Sequence, residues 1–321
     1  MKGCGGMHRD VGRFAIVFMV VLGVSQAYAD FAAGLRAYER GDYAAALAQW
    51  HTAADEGDVQ AADALGSLYQ TGRGVMRNES EAARWFRRAA ERGLAVAQAH
   101  LSYAYEHGLG VREDHAEAVR WLTRAAAQGY TEAEDVLGKH YFIGDGVPRD
   151  LKRAEKWFEK AAAQGFPEAQ CDLGVLRLQR GRENADQSRA AAWIGKAARQ
   201  GLPRAENILG FLYIQGKGVP QSDGEAARWF HEAANAGDMH AQFNLGRMYQ
   251  QGRGMARDEI KAYQWFDLAA RAGDSEAEKA LADVAGTMTP EQIGEARQHV
   301  RDWQATEGKL QPTDPGGPEE L

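Results

Sequence analysis

Tryptophan returns at a fixed interval of 36 residues, at Trp85, Trp121, Trp157, Trp193, Trp229 and Trp265. A constant period of this length means that one supersecondary unit is copied along the chain. Such a unit cannot bury its apolar face alone, so neighbouring copies must stack. The arrangement favours extended surfaces for partners over enclosed pockets for chemistry.

Other residues keep the same period. Asp42, Asn78, Asp114, Asp150, Asp186, Ser222 and Asp258 form one column. Each is a good N-cap, with a side chain able to accept from a free N–H at a helix start. Four residues on, every copy has alanine, from Ala46 to Ala262, and further apolar positions follow at +7, +8, +11 and +12. That spacing predicts one face of an amphipathic helix. It stops at an unbroken glycine column: Gly57, Gly93, Gly129, Gly165, Gly201, Gly237 and Gly273. Glycine there predicts a left-handed C-cap. A second helix follows, with Leu65, Leu101, Leu137, Leu173, Leu209, Leu245 and Leu281 in register. A Gly-x-Gly-Val loop, as at Gly72 to Val75 and Gly216 to Val219, leads to the next cap. The tryptophans point the same way as the alanine and phenylalanine columns, so they read as core rather than as a ligand-stacking ladder.

The runs from Ala61 to Val75 and from Ala241 to Met255, followed by Ala82-x-x-Trp85-Phe86-x-x-Ala89-Ala90, resemble the Sel1-like repeat (SLR) family, a relative of the tetratricopeptide repeat. The resemblance covers roughly 41–282. It implies an all-α, right-handed α-solenoid of about seven helix-pair repeats that serves protein–protein interaction or complex assembly. Exported members resembling this chain include some discussed as cell-wall hydrolases, in a subgroup with a cysteine pair in each repeat. This chain lacks such pairs.

The two ends depart from the pattern. Lys2, Arg9 and Arg13 precede an apolar run from Phe14 to Val24, and Ala27-Tyr28-Ala29 has small residues at both specificity positions of a cleavage site. Residues 1–29 are therefore expected to be a signal peptide; an uncleaved anchor is the alternative reading. No cysteine follows the apolar run to suggest a lipid anchor. Losing Lys2, Arg9, Arg13 and Asp10 takes the net charge from −7 to −9. Export would place the protein in the periplasm or outside the cell, without membrane insertion after cleavage, and as a monomer. Residues 30–58 read as an N-terminal capping helix pair, 59–282 as the repeat array and 283–306 as a C-terminal capping helix. That last helix is opened by the capping box Thr289-Pro290-Glu291-Gln292. The tail, 307–321, is rich in Pro, Gly and Glu and is expected to be disordered.

Chemistry is sparse. The acidic balance argues against nucleic acid as a partner. There is no Ser-x-x-Lys, Gly-x-Ser-x-Gly, phosphate loop, His-Glu-x-x-His or Cys-x-x-Cys. No catalytic residue, cofactor or metal site is expected. His100 and His140 lie in nearby registers of neighbouring helices, and a shared metal is the minority reading of that pair. Only Cys171 outlasts signal cleavage, either as an inert thiol or as one that cross-links a partner.

By analogy with the tetratricopeptide comparison, the partner face comprises positions on the Leu-bearing helix that point away from the core. In the middle copies these are Cys171, Val175, Leu178, Asn207, Phe211 and Ile214, an apolar set where the first copy has Asp63, Ser67 and Gln70. Tyr103, Phe142 and Phe243 could extend it. Here the repeat also breaks: Arg177 replaces Tyr, Arg180 and Arg182 replace the loop glycines, and Glu183 replaces Val. Two readings stay open. Either this groove and its arginines hold an extended or helical segment of an acidic partner protein, or the copy has drifted and its apolar residues pack between helices. At the level of function, an exported scaffold that serves envelope assembly or regulates a membrane-associated partner is the preferred expectation. A hydrolase or binding module acting on cell-wall or other glycan material is the alternative.

Overall fold

The computed structural model describes residues 31–181 and 184–307. The expected signal peptide and most of the tail lie outside the described residues, as do Arg182 and Glu183. The described residues are all helix, turn and loop, in two compact units divided between Asp150 and Leu151.

The first unit holds α1 (31–39), α2 (Tyr43–Glu56), α3 (Val59–Thr71), α4 (Glu79–Glu91), α5 (Ala95–His107), α6 (His115–Ala127) and α7 (Thr131–Ile143). The second holds α8 (Leu151–Ala163), α9 (Pro167–Arg180), α10 (Asn184–Arg199), α11 (Pro203–Gln215), α12 (Asp223–Asn235), α13 (Met239–Gln251), α14 (Glu259–Arg271), α15 (Ser275–Ala285) and α16 (Pro290–Glu307). Within each unit consecutive helices pack on one another through short connections. The Leu-bearing helices α3, α5, α9, α11 and α13 lean more on the Trp-bearing helix after them than on the one before.

The caps work largely as the residue types dictate. Asp42, Asn78, Asp114, Ser222 and Asp258 each accept from the backbone N–H three residues on, at 2.9–3.2 Å. The Gly57-to-Gly273 column is left-handed throughout. Thr289 and Gln292 exchange side-chain and backbone hydrogen bonds at 2.8 and 3.3 Å, the expected capping box. Asp186 breaks the rule: α10 begins at Asn184, so Asp186 lies inside its first turn. Gly181 is extended, with φ −74° and ψ 121°, and Arg180 stands where the other loops begin with a left-handed glycine.

The deepest ring column is not the tryptophan one. Trp50, Phe86, Leu122, Phe158, Ile194, Phe230 and Phe266 are all buried. In several copies the ring lies on the backbone of a glycine in the preceding Leu-bearing helix. A Cβ on Gly66, Gly210 or Gly246 would come within 2.5–2.7 Å of Phe86, Phe230 or Phe266. The copy with Ser102 in place of that glycine has the smaller Leu122 in the ring column, and the serine donates to the Ala118 carbonyl at 2.9 Å. The periodic tryptophans lie less deep: Trp121, Trp229 and Trp265 are buried, at 5–7% exposure. Trp85, Trp157 and Trp193 are half-buried. Most carry a cation three residues on: Arg124 over Trp121 at 4.3 Å, Lys160 over Trp157 at 4.2 Å and Lys196 over Trp193 at 4.0 Å. Cation–π contact and burial of the alkyl stem cover the outer ring face.

A polar column runs through this core. Gln98, Gln170 and Gln242 are buried, and each donates to a carbonyl at the end of the preceding helix: Ala90, Ala162 and Ala234, at 3.1–3.2 Å. These bonds satisfy acceptors that a helix C-terminus leaves open. Glu206 holds the same position in its copy. Burial, then repulsion from Glu232 and Asp238, raises its pKa from 4.5 to about 7. A carboxyl that keeps its proton longer when folded stabilises the fold most below pH 4.5, and this contribution is lost as pH rises towards about 7. Glu206→Gln restores a permanent donor of the kind Gln242 uses. The variant is expected to be more stable at pH 8 by about 1–3 kcal/mol and to show a flatter stability profile between pH 5 and about 7. Thermal melts across that range check both.

Candidate functional site

The expected partner face lies in the second unit and divides into buried and exposed parts. Cys171 is fully buried against Ala191, Ile194 and Leu209, so its thiol is withheld from any partner. Asn207 is also buried and its carbonyl accepts from the Asn244 amide at 3.1 Å, tying α11 to α13. Both residues are on the right helices, but the neighbouring helix lies closer to them than repeat spacing implied. Val175 and Leu178 are half-buried beside the cluster around Ile194, and Ile214 is half-buried near Met248. Phe211 is the large apolar residue this face presents to solvent, at 41% exposure. Its ring stands at 81° to that of Phe230, 5.3 Å away, so the core column holds it from below. Phe243 packs on Phe266 at 5.7 Å, while Tyr103 and Phe142 belong to the first unit.

The arginines of the broken copy have partners within their own unit. Arg177 donates to Glu155 at 3.0 Å and also to Glu159, and Arg180 donates to Glu155 at 2.6 Å. Two copies earlier, the positions of Arg177 and Glu159 are Tyr105 and Arg87, which are also hydrogen-bonded. The broken copy has therefore changed both members of a contact, which explains how an arginine occupies a tyrosine column. It also neutralises the charge expected to attract an acidic partner. Arg182 lies outside the described residues.

Sequence reasoning missed a groove of about 440 Å³ in this unit, lined by Ala192, Arg199, Leu209, Tyr213, Val219 and Trp229. Its walls come from α10, the α11 helix and its following loop, and α12, and no single repeat column marks it.

In the first unit, His100 and His140 do not share a site. His100 bonds Asp63 at 2.8 Å and packs on Phe86. His140 instead meets Glu106 and Asp145. Its Nδ1 lies 3.0 Å from the Asp145 carbonyl oxygen and its Nε2 lies 3.8 Å from a Glu106 carboxylate oxygen. Burial alone would lower the His140 pKa, but Glu106, the Asp145 carbonyl and the Asp145 carboxylate outweigh it, and the net shift is upward. The His140 imidazole in turn holds Glu106 below the usual carboxylate range. His115 reaches the Asp145 carboxylate at 2.9 Å and Glu113 at 3.1 Å, and these two acids, Glu113 first, raise its pKa.

Comparison with known proteins agrees with this anatomy. The Sel1 repeat matches at residues 59–94, 95–130, 131–166, 167–202, 203–238 and 240–274. Each match starts on a Leu-bearing helix. The chain is similar to a Sel1 repeat protein from Oxalobacter formigenes, with 29% identity, TM-score 0.69, and coverage of 75% of this chain and 96% of that one. It is also similar to c5321, a protective antigen of uropathogenic Escherichia coli with an SLR fold. There the identity is 27% and the TM-score 0.59, over 91% of this chain and 73% of that one. No curated protein matches the chain.

Proposed function

The chain belongs to the Sel1 repeat family, and on that premise we propose that it is an exported, non-catalytic scaffold that holds an extended or helical segment of another protein. The carrying observation is Phe211, an aromatic ring left in solvent but braced by Phe230, on the same expected face as half-buried Val175, Leu178 and Ile214. Rigid aromatic anchors of this kind dominate protein interfaces, because little side-chain entropy is lost when they are covered. The segment is apolar rather than acidic, since Glu155 and Glu159 already neutralise Arg177 and Arg180. Export to the periplasm or beyond follows from the basic start, apolar run and Ala27–Ala29 site. No helix among the described residues is long and apolar enough to cross a membrane.

Capture from envelope extract with the mature protein tests this reading. A discrete protein partner is expected, and Phe211→Asp combined with Leu178→Asp is expected to reduce its recovery at least tenfold while the circular dichroism spectrum stays helical. Undiminished capture by the folded double variant would remove this face from consideration. Loss of capture on Arg199→Glu alone would move the site to the groove beside Trp229.

A further inference from the structure

Three repeat columns change character at one place in the first unit. His140 occupies a column that holds Leu68, Ala104, Leu176, Leu212 and Met248 in other copies. Glu106 stands where others have Gln70, Phe142, Leu178, Ile214 and Gln250. Asp145 is the middle residue of a loop that carries Arg73, Leu109, Lys217 or Arg253 elsewhere. The three lie on α5, on α7 and in the loop after α7, and the fold brings them together. One ligand atom from each can be chosen so that all lie within 4.8 Å of one another.

We propose that Glu106, His140 and Asp145 bind a divalent transition-metal ion of the zinc class. His140 is buried, at 3% exposure, in a column otherwise apolar, and an imidazole there needs a polar partner on each nitrogen. Its Nδ1–H donates to the Asp145 carbonyl at 3.0 Å, a bond made possible by the left-handed turn at Gly144. That bond leaves the lone pair on Nε2, the arrangement found in most metal-ligating histidines. Nε2 faces a Glu106 oxygen 3.8 Å away. This distance is too long for a hydrogen bond. It suits two ligands of one ion, because each sits about 2.0–2.2 Å from the metal.

The Asp145 carboxylate lies 3.6 Å from His140 Nδ1 and is held in turn by His115 at 2.9 Å, and His115 is itself steadied by Glu113 at 3.1 Å. Supporting bonds of this kind orient a ligating carboxylate. The same two positions in a later copy are Arg253 and Asp223, paired at 2.9 Å. The contact survives with its polarity reversed, and the reversal places an anion in the loop beside His140. One imidazole and two carboxylates favour zinc and its neighbours over calcium or magnesium, which prefer oxygen ligands alone. Three protein ligands leave a coordination position for water or for a side chain of the bound partner.

The test titrates the tag-free mature chain with zinc chloride against a chromophoric chelator and follows thermal unfolding. One equivalent of zinc and a higher Tm are expected. His140→Leu installs the residue that other copies carry at this position, so it preserves the fold; it is expected to abolish stoichiometric binding and the Tm shift. Glu106→Gln and Asp145→Asn are expected to weaken binding at least tenfold. His115→Asn, which removes only a supporting bond, is expected to keep the stoichiometry and weaken binding about 10–100-fold. His100→Asn is expected to bind as the parent does. Failure of the parent chain to bind zinc, or binding by His140→Leu with parental affinity, would overturn the assignment and leave the cluster as an ion pair around a protonated imidazole.

Discussion

Phe230→Ala is expected to cost about 3–5 kcal/mol of stability, among the largest losses from any single side chain in the second unit. The ring is buried among Ala226, Ala233, Leu245 and Met248 and lies on the bare backbone of Gly210, where even a Cβ would come within 2.6 Å. The α11 helix cannot close the resulting void, because its backbone at Gly210 already touches the ring. The loss therefore includes the missing transfer energy and a cavity that persists. Half-buried Trp193→Ala, which removes a larger side chain from the edge, is expected to cost less, about 1–2 kcal/mol. Urea denaturation of the whole chain measures both, and hydrogen exchange shows whether the Phe230→Ala loss is concentrated in α11 and α12. A greater loss at Trp193 would mean that the tryptophan column, not the phenylalanine one, is the core. Phe211 rests on Phe230 at 5.3 Å, so Phe230→Ala should also weaken partner capture while leaving every exposed residue in place.

Gly110→Ala is expected to be comparably damaging, for a backbone reason. Gly110 has φ +68°, and a Cβ there would sit 2.1 Å from the Glu79 carbonyl oxygen in the first turn of α4. The left-handed conformation costs an alanine about 1–2 kcal/mol. Displacing the packed helix start adds about 1–3 kcal/mol. Gly93→Ala provides the comparison: φ is +97°, but nothing lies within 4 Å of the new Cβ, so only the conformational cost applies. A drop in Tm for Gly110→Ala no larger than that for Gly93→Ala would show that the helix start yields freely. The same approach recurs at Gly146, Gly218 and Gly254, where a Cβ would come within 2.3 Å of the carbonyl oxygens of His115, Gln187 and Asp223. The second loop glycine is thus the point where one copy touches the helix start of the copy before it. The α9–α10 connection lacks that pair of glycines, and there α10 starts early at Asn184 instead.

Much of this was legible from residue types and spacing. Asp42, Asn78, Asp114, Ser222 and Asp258 announce helix starts because capping is a local interaction, settled within four residues. The glycine C-caps and the Thr289–Gln292 box are local for the same reason. Asp186 misled because its helix start depended on loop glycines that this copy lacks. Arg177 looked like an isolated breach of a tyrosine column; its explanation, Glu159, is also a departure from an earlier copy and becomes visible only when the two are compared as a pair. The buried Gln98, Gln170 and Gln242 recur in every second copy, 72 residues apart, but a polar side chain on a mostly apolar stripe does not reveal that it bonds a helix end eight residues back.

The 36-residue period by itself determined the helix pairs, their caps and their turns, because those depend on contacts within a few residues of each other. Only the tertiary structure decided which ring column is deepest, that Cys171 and Asn207 are covered while Phe211 is not, and that His140 meets Glu106 rather than His100. A helical stripe states which residues share a side. How closely the next helix approaches that side, and which of its atoms arrive there, is set by packing between residues more than thirty positions apart.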